Sequence, residues 1–254
     1  MELWTPEHTR TLLPTLGVIL IITAILRLTL KNKPLKIRLI PLQIVAVIIV
    51  VLEIGKQAVS LADGYDLYAL PFHFCSMFIF MLPLAAFYNG AHANRIRGIT
   101  CALCAALAIL MLIYPNLIYP PQDVEQVFKD FLSFHAVVFH AVALMGYFFM
   151  VALEIHAPEA KGEVRSAMLF IVCFCIISAT MANVLKTNFN NFYSCNIPPL
   201  ETVRQSIQAS LGEVPSRILY CIIVSALDLV FVALSYWVYR LTRIVVCGKK
   251  KVSV

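Results

Sequence analysis

Long apolar runs separated by short polar stretches dominate this chain. They lie at Thr11–Leu30, Leu39–Leu61, Phe72–Tyr88, Gly98–Tyr114, Phe131–Glu154, Ser166–Leu185 and Arg217–Leu241. Each comes close to the roughly 20 residues a helix needs to cross the hydrocarbon core of a bilayer. Lipid offers the backbone no hydrogen-bond partner, so runs of this length read as helices that satisfy their own N–H and C=O groups. The pattern predicts an all-α polytopic bundle of seven transmembrane helices. Pro34, Pro41, Pro71, Pro115, Pro120, Pro121, Pro158 and Pro215 fall in or beside the connections, as helix punctuation should. Pro14 and Pro83 lie inside runs, where a kink is tolerable in a bundle.

Composition agrees with the pattern. Of 254 residues, 61% are hydrophobic and 13% charged, against about 25% charged in a soluble domain. Mean hydropathy is +0.85. No Gly-, Ser- or Pro-rich linker and no internal repeat stands out, so residues 1–254 are expected to form a single seven-helix domain. The first run has no basic stretch before it and is long enough to span, so it reads as a span rather than a cleaved signal.

The net charge of +6 does not point to nucleic acid, because the basic residues sit in short loops and at the C-terminus. Lys31, Lys33, Lys36, Arg38, Arg95, Arg97, Lys161, Arg165, Arg240, Arg243 and Lys249–Lys251 occupy alternate connections. Asp63 and Asp66, and Asp123, Glu125 and Asp130 against Lys129, occupy the others, and Lys186 and Arg204 a mixed sixth loop. The bias of Lys and Arg to inner loops predicts the N-terminus outside and the C-terminus inside. A multi-pass protein of the cell membrane, with membrane lipid as its surroundings, is expected.

Eight cysteines raise the question of metals and disulfides. Most fall in apolar runs and read as small buried hydrophobes. Cys101/Cys104 and Cys173/Cys175 have metal-like spacings but no polar neighbours, and no cofactor is expected.

Ionisable residues inside a span are costly and therefore functional candidates. With the predicted orientation, Glu53, Lys56 and Gln57 lie in the outer half of the second span and share one helical face. His73 and Cys75 open the third span, and His135 lies about one turn into the fifth. Asn183, Lys186 and Asn188 close the sixth, and Asp228 falls nearer mid-membrane in the seventh. Four spans thus place polar residues at one depth, which predicts a pocket opening to the outer leaflet. Each residue also has a plainer role: Glu53 and Lys56 as a neutralising pair, His73 at the headgroups, His135 as a packing histidine.

Three stretches carry a family resemblance. They are Leu70-Pro71-Phe72-His73-Phe74-Cys75-Ser76, Phe131-Leu132-Ser133-Phe134-His135, and Thr187-Asn188-Phe189 with Pro198 downstream. Together they resemble the bacterial YwaF-like family of seven-span integral membrane proteins, related to the eukaryotic transmembrane protein 164 family. Leu52-Glu53-Ile54-Gly55-Lys56 is similar to a Glu/Gly/Lys stretch in that relative. The resemblance implies an acyltransferase using Cys and His, and more distant androgen-induced-gene-like proteins imply an intramembrane hydrolase using Thr and His. The His carries over onto His135. The Cys does not: its position is Phe72, and the nearest thiol, Cys75, follows His73 by two residues. On a helix those two would point about 160° apart.

Three functions compete on this reading. The first is a lipid-directed acyltransferase or hydrolase, with Cys75 as nucleophile and His135 as base. Glu53 would orient the imidazole, and Asn183 or Asn188 would donate to an oxyanion. The second is a protein that binds or transports a small or lipidic solute in the same pocket, with Glu53, Lys56, His73, Asn183 and Asn188 as contacts. The third is a metal site of Glu53, His73 and His135, with Cys75 as a further ligand.

Overall fold

In a computed structural model, residues 4–118, 120–157, 162–195 and 197–248 are described. Pro158, Lys161 and Lys249–Lys251 of the sequence reading lie outside them. The described residues form helices and connecting turns.

The first helix, α1, spans Pro6–Leu30. Thr5 caps it, with Pro6 in the first turn and His8 Nδ1 accepting from the Thr5 N–H at 3.2 Å. After Pro34 comes α2, Leu35–Ala62. Two 3₁₀ turns, Leu67–Ala69 and Phe74–Met77, lead into α3, Phe78–Phe87. Next is α4, Ala93–Ile113, and then a short α5, Pro121–Gln126. Asp130 caps α6, Phe131–Ala152, its carboxylate accepting from the Ser133 N–H at 2.7 Å. The seventh helix, α7, covers Glu163–Leu185 and stops where Lys186 turns left-handed at φ 54°. An amphipathic α8, Pro198–Leu211, then meets the 35-residue α9, Glu213–Cys247, at Gly212.

Six of these helices, α1, α2, α4, α6, α7 and α9, are long and apolar enough to cross a membrane. The expected third span differs. It is a shorter apolar stretch, Phe74–Phe87, whose ten-residue α3 rises only about 15 Å against roughly 30 Å of hydrocarbon. Residues 70–73 run non-helically before it, so the 160° separation of His73 and Cys75 does not apply.

The packing is graded. Within its most apolar window, α4 is 72% buried and α1 only 17%, so α4 runs through the centre and α1 lies at the periphery. Small residues let the helices approach: a Cβ on Gly146 of α6 would sit 3.2 Å from Leu82 of α3 and 3.3 Å from Val45 of α2.

Arginines tie one end of the bundle together. Arg27, near the end of α1, donates to the carbonyls of Ala152 (2.6 Å) and Val246 (2.8 Å), at the ends of α6 and α9. Arg38, at the start of α2, donates to Leu153 and Glu154. Buried Arg97 of α4 reaches Ala85 (3.0 Å), Tyr88 (3.3 Å) and Asn89 (3.1 Å) at the end of α3. Helix ends leave carbonyls without intrahelical partners, and cations suit the negative end of the helix dipole. The basic residues thus have a structural task there beyond topology. This is the basic end of the bundle.

Candidate functional site

The opposite end holds most of the sequence-derived candidates. Late in α2, Glu53 is buried, and its two oxygens face different partners. Oε1 receives Lys56 Nζ at 2.8 Å and Gln57 Nε2 at 2.8 Å. Oε2 lies 3.5 Å from His135 Nε2, on the second turn of α6. That contact is not a well-aligned hydrogen bond: among the described residues His135 Nε2 has no hydrogen-bond partner. An i, i+3 and i, i+4 arrangement on α2 therefore builds the cluster, and the α2–α6 packing supplies the imidazole.

Gln57 extends the cluster to the following loop. Its amide also donates to the Ala69 carbonyl at 2.8 Å, and its oxygen accepts from the Tyr65 hydroxyl at 2.8 Å. Tyr65 adopts φ 49°, a left-handed conformation that a residue with a Cβ rarely takes. The loop that leads to His73 and Cys75 is thereby pinned to the neighbour of Glu53. His73 Nε2 pairs with the Tyr68 carbonyl at 2.9 Å, and its ring packs on Tyr68 and Phe189. Glu53 and Lys56 are near enough to act electrostatically on both His73 and Cys75. Among the described residues, Cys75 Sγ has no hydrogen bond to an imidazole.

The two asparagines go elsewhere. Asn188 accepts from the Ser194 N–H at 3.1 Å and fastens the loop after α7. Asn183 accepts from Arg217 Nη1 of α9 at 3.2 Å and donates to the Ala179 carbonyl at 2.8 Å. Asp228 of α9 accepts from Asn190 at 2.7 Å beside a cavity of about 220 Å³ bordered by Phe74. The polar layer is thus divided into separate groups rather than closed into one ring of side chains. For the metal reading, no group of three or more His, Cys, Asp or Glu side chains is placed to hold an ion among the described residues.

A further buried cluster, at the basic end, has no counterpart in the sequence reading. His156 Nε2 pairs with Glu163 Oε1 at 2.7 Å, and Nδ1 with the Tyr239 hydroxyl at 2.6 Å. The Tyr236 hydroxyl donates to Glu163 Oε2 at 2.6 Å. All four side chains are buried. Tyr236 and Tyr239 are three residues apart on α9, the one local signal available; their meeting with His156 and Glu163 is tertiary.

No curated protein and no solved structure matches the chain. A family model matches residues 3–241, nearly the whole of the helical bundle. The chain belongs to the TMEM164 family of membrane proteins.

Proposed function

We propose that this protein transfers or hydrolyses acyl groups of membrane lipids at the Glu53–His135 cluster, with Cys75 as nucleophile. One observation carries the reading: a buried carboxylate lies 3.5 Å from an imidazole on the neighbouring helix, within reach of orienting it as a general base once substrate tightens the contact. The thiol proton passes to His135 as Cys75 Sγ attacks the ester carbonyl. The ester C–O bond breaks, and His135 returns the proton to the leaving lysolipid oxygen. The acyl thioester on Cys75 then passes to a second alcohol or to water, His135 taking that proton and returning it to the thiolate. Lys56 contributes positive charge beside the developing oxyanion. The positive-inside bias puts this end outside, in the outer leaflet of the cell membrane, with the basic end inside.

Cys75 lacks an imidazole partner in the resting arrangement, so the step requires its thiol to turn toward His135. Catalytic hydrogen bonds are often long before substrate binds. The same feature favours a second reading, in which the cluster binds or passes a small or lipidic solute without covalent chemistry.

The test is acyl capture in nanodiscs with an alkyne-tailed phospholipid. A hydroxylamine-sensitive label that disappears in Cys75→Ser and His135→Ala supports acyl transfer. Undiminished labelling of Cys75→Ser overturns the nucleophile. An unlabelled wild-type protein that still protects Cys75 from maleimide in the presence of lipid favours binding.

A further inference from the structure

Away from the Glu53–His135 cluster, a groove of about 650 Å³ runs between α7 and α9. That is within the range of pockets that enclose a ligand. Its walls are apolar along most of their length, from Val172 and Leu229 to Ile218, with Asn183 and Arg217 at one end. From Val172 to Asn183, α7 rises about 16 Å, roughly half the 30 Å hydrocarbon thickness. The groove therefore matches one acyl chain of one leaflet.

Its polar end sits at headgroup depth. Asn183 is two residues from the end of α7, and Arg217 four residues from the start of α9. Immediately before α9, α8 carries Leu200, Val203 and Ile207 at i, i+3 and i+7, the one-sided stripe of a surface helix, with Leu200 turned onto the bundle core and the polar face away from it.

Arg217 is fixed in place at that end. It donates to Asn183 at 3.2 Å and to Glu213 at 3.0 Å, and stacks over the Tyr193 ring at 4.8 Å. Glu213 is 67% exposed at its side chain, so it screens the cation only weakly. A guanidinium has five donors in a planar fork, suited to phosphate oxygens. Donors remain after Asn183 and Glu213 have taken theirs.

We infer that the α7–α9 groove holds a glycerophospholipid of the surrounding leaflet, one acyl chain along the groove and its phosphate on Arg217. The site is independent of the acyl-transfer reading and stands if that reading fails.

The test is photolabelling in phosphatidylcholine nanodiscs doped with a phosphatidylcholine that carries a diazirine at the end of one acyl chain. Label on residues 172–183 and 218–229 is expected to exceed label on the equally lipid-facing α1 segment 20–28 by about fivefold, an affinity difference near 1 kcal/mol. Arg217→Gln is expected to lower groove labelling about tenfold, the loss of roughly one charge-assisted contact. Ala226→Phe fills the groove from its exposed side without touching the core, and is expected to abolish the excess. Labelling of α1 serves as the control for folding in each variant. Equal labelling of groove and α1, or a groove excess that survives both substitutions, overturns the proposal. A diazirine fatty acid that labels the groove more strongly than the phospholipid also overturns it.

Discussion

Glu53 stands between Lys56 and His135, 2.8 Å from the ammonium and 3.5 Å from the imidazole. It is the only one of the three that carries negative charge, so it both neutralises the cation on its own helix and ties α2 to α6. Removing one member of a buried pair leaves the other uncompensated, which costs more than removing both. Glu53→Gln is expected to destabilise the detergent-solubilised protein by about 2–3 kcal/mol, read as a lowered melting temperature. Glu53→Gln with Lys56→Met is expected to recover at least half of that loss. A double variant no more stable than Glu53→Gln would show that Lys56 does not depend on Glu53.

Gly98 leaves room for the His156–Glu163 pair. A Cβ there would meet His156 Nε2 at 3.0 Å and Glu163 Oε1 at 3.3 Å, and both atoms are held in place by the 2.7 Å hydrogen bond between them. Gly98→Ala is expected to destabilise by about 1–3 kcal/mol through overpacking, despite the higher helix propensity of alanine. Tyr236→Phe is expected to cost about 1–2 kcal/mol, because Glu163 Oε2 loses its 2.6 Å donor. Combined, the two should fall short of additive, since both act on Glu163. Chemical denaturation of the single and double variants reads the coupling directly.

Arg97 offers a separate test of the helix-end arginines. It is 4% exposed and serves Ala85, Tyr88 and Asn89 at once. Arg97→Met keeps much of the stem and removes all three donations. The expected loss is about 1–3 kcal/mol, since the buried Ala85 carbonyl loses its 3.0 Å donor. Arg97→Lys should recover only part of it, because a single ammonium cannot copy the planar fork. A melting temperature unchanged in Arg97→Met would show that the end of α3 is held by packing alone.

The apolar runs announced six helices closely, because backbone satisfaction in lipid depends on local length and composition. Their ends were less legible: α9 begins four residues before Arg217 and ends six after Leu241, since a helix continues beyond the hydrocarbon wherever nothing stops it. The α3 region departs more, as Pro71 and the loop pinned by Gln57 hold residues 70–73 out of helix. Leu200, Val203 and Ile207 could have revealed α8, but a polar segment carries no signal on a scale tuned to spans. Glu53, Lys56 and Gln57 were legible as a face because helical spacing alone brings them together. The partners of Asn183 and Asn188, and the His156 cluster, were not. They depend on which helices pack side by side, information that hydropathy does not hold.

The start of α8 should loosen in acid. Glu201 accepts from Arg204 Nη2 at 2.6 Å and Nε at 2.8 Å, from Gln205 at 2.9 Å and from the Cys195 N–H at 3.0 Å. Chiefly through the Arg204 bonds, its carboxyl is held down from 4.5 to about 2. A carboxylate whose folded pKa is depressed contributes stability that is complete above its unfolded value. That contribution fades as pH falls from about 4.5 toward 2. The Cys195 N–H is the sensor, because it joins the preceding loop to the first turn of the helix. Hydrogen exchange of residues 197–211, corrected for intrinsic rates, is expected to quicken between pH 5 and pH 2.5 in the wild type, a window set by that depressed carboxyl. Glu201→Gln should already exchange fast at neutral pH and change little on acidification. Equal acid sensitivity in both proteins would assign the transition to another carboxylate, with Asp130, also held low by its bonds to Ser133 at the start of α6, the next to examine.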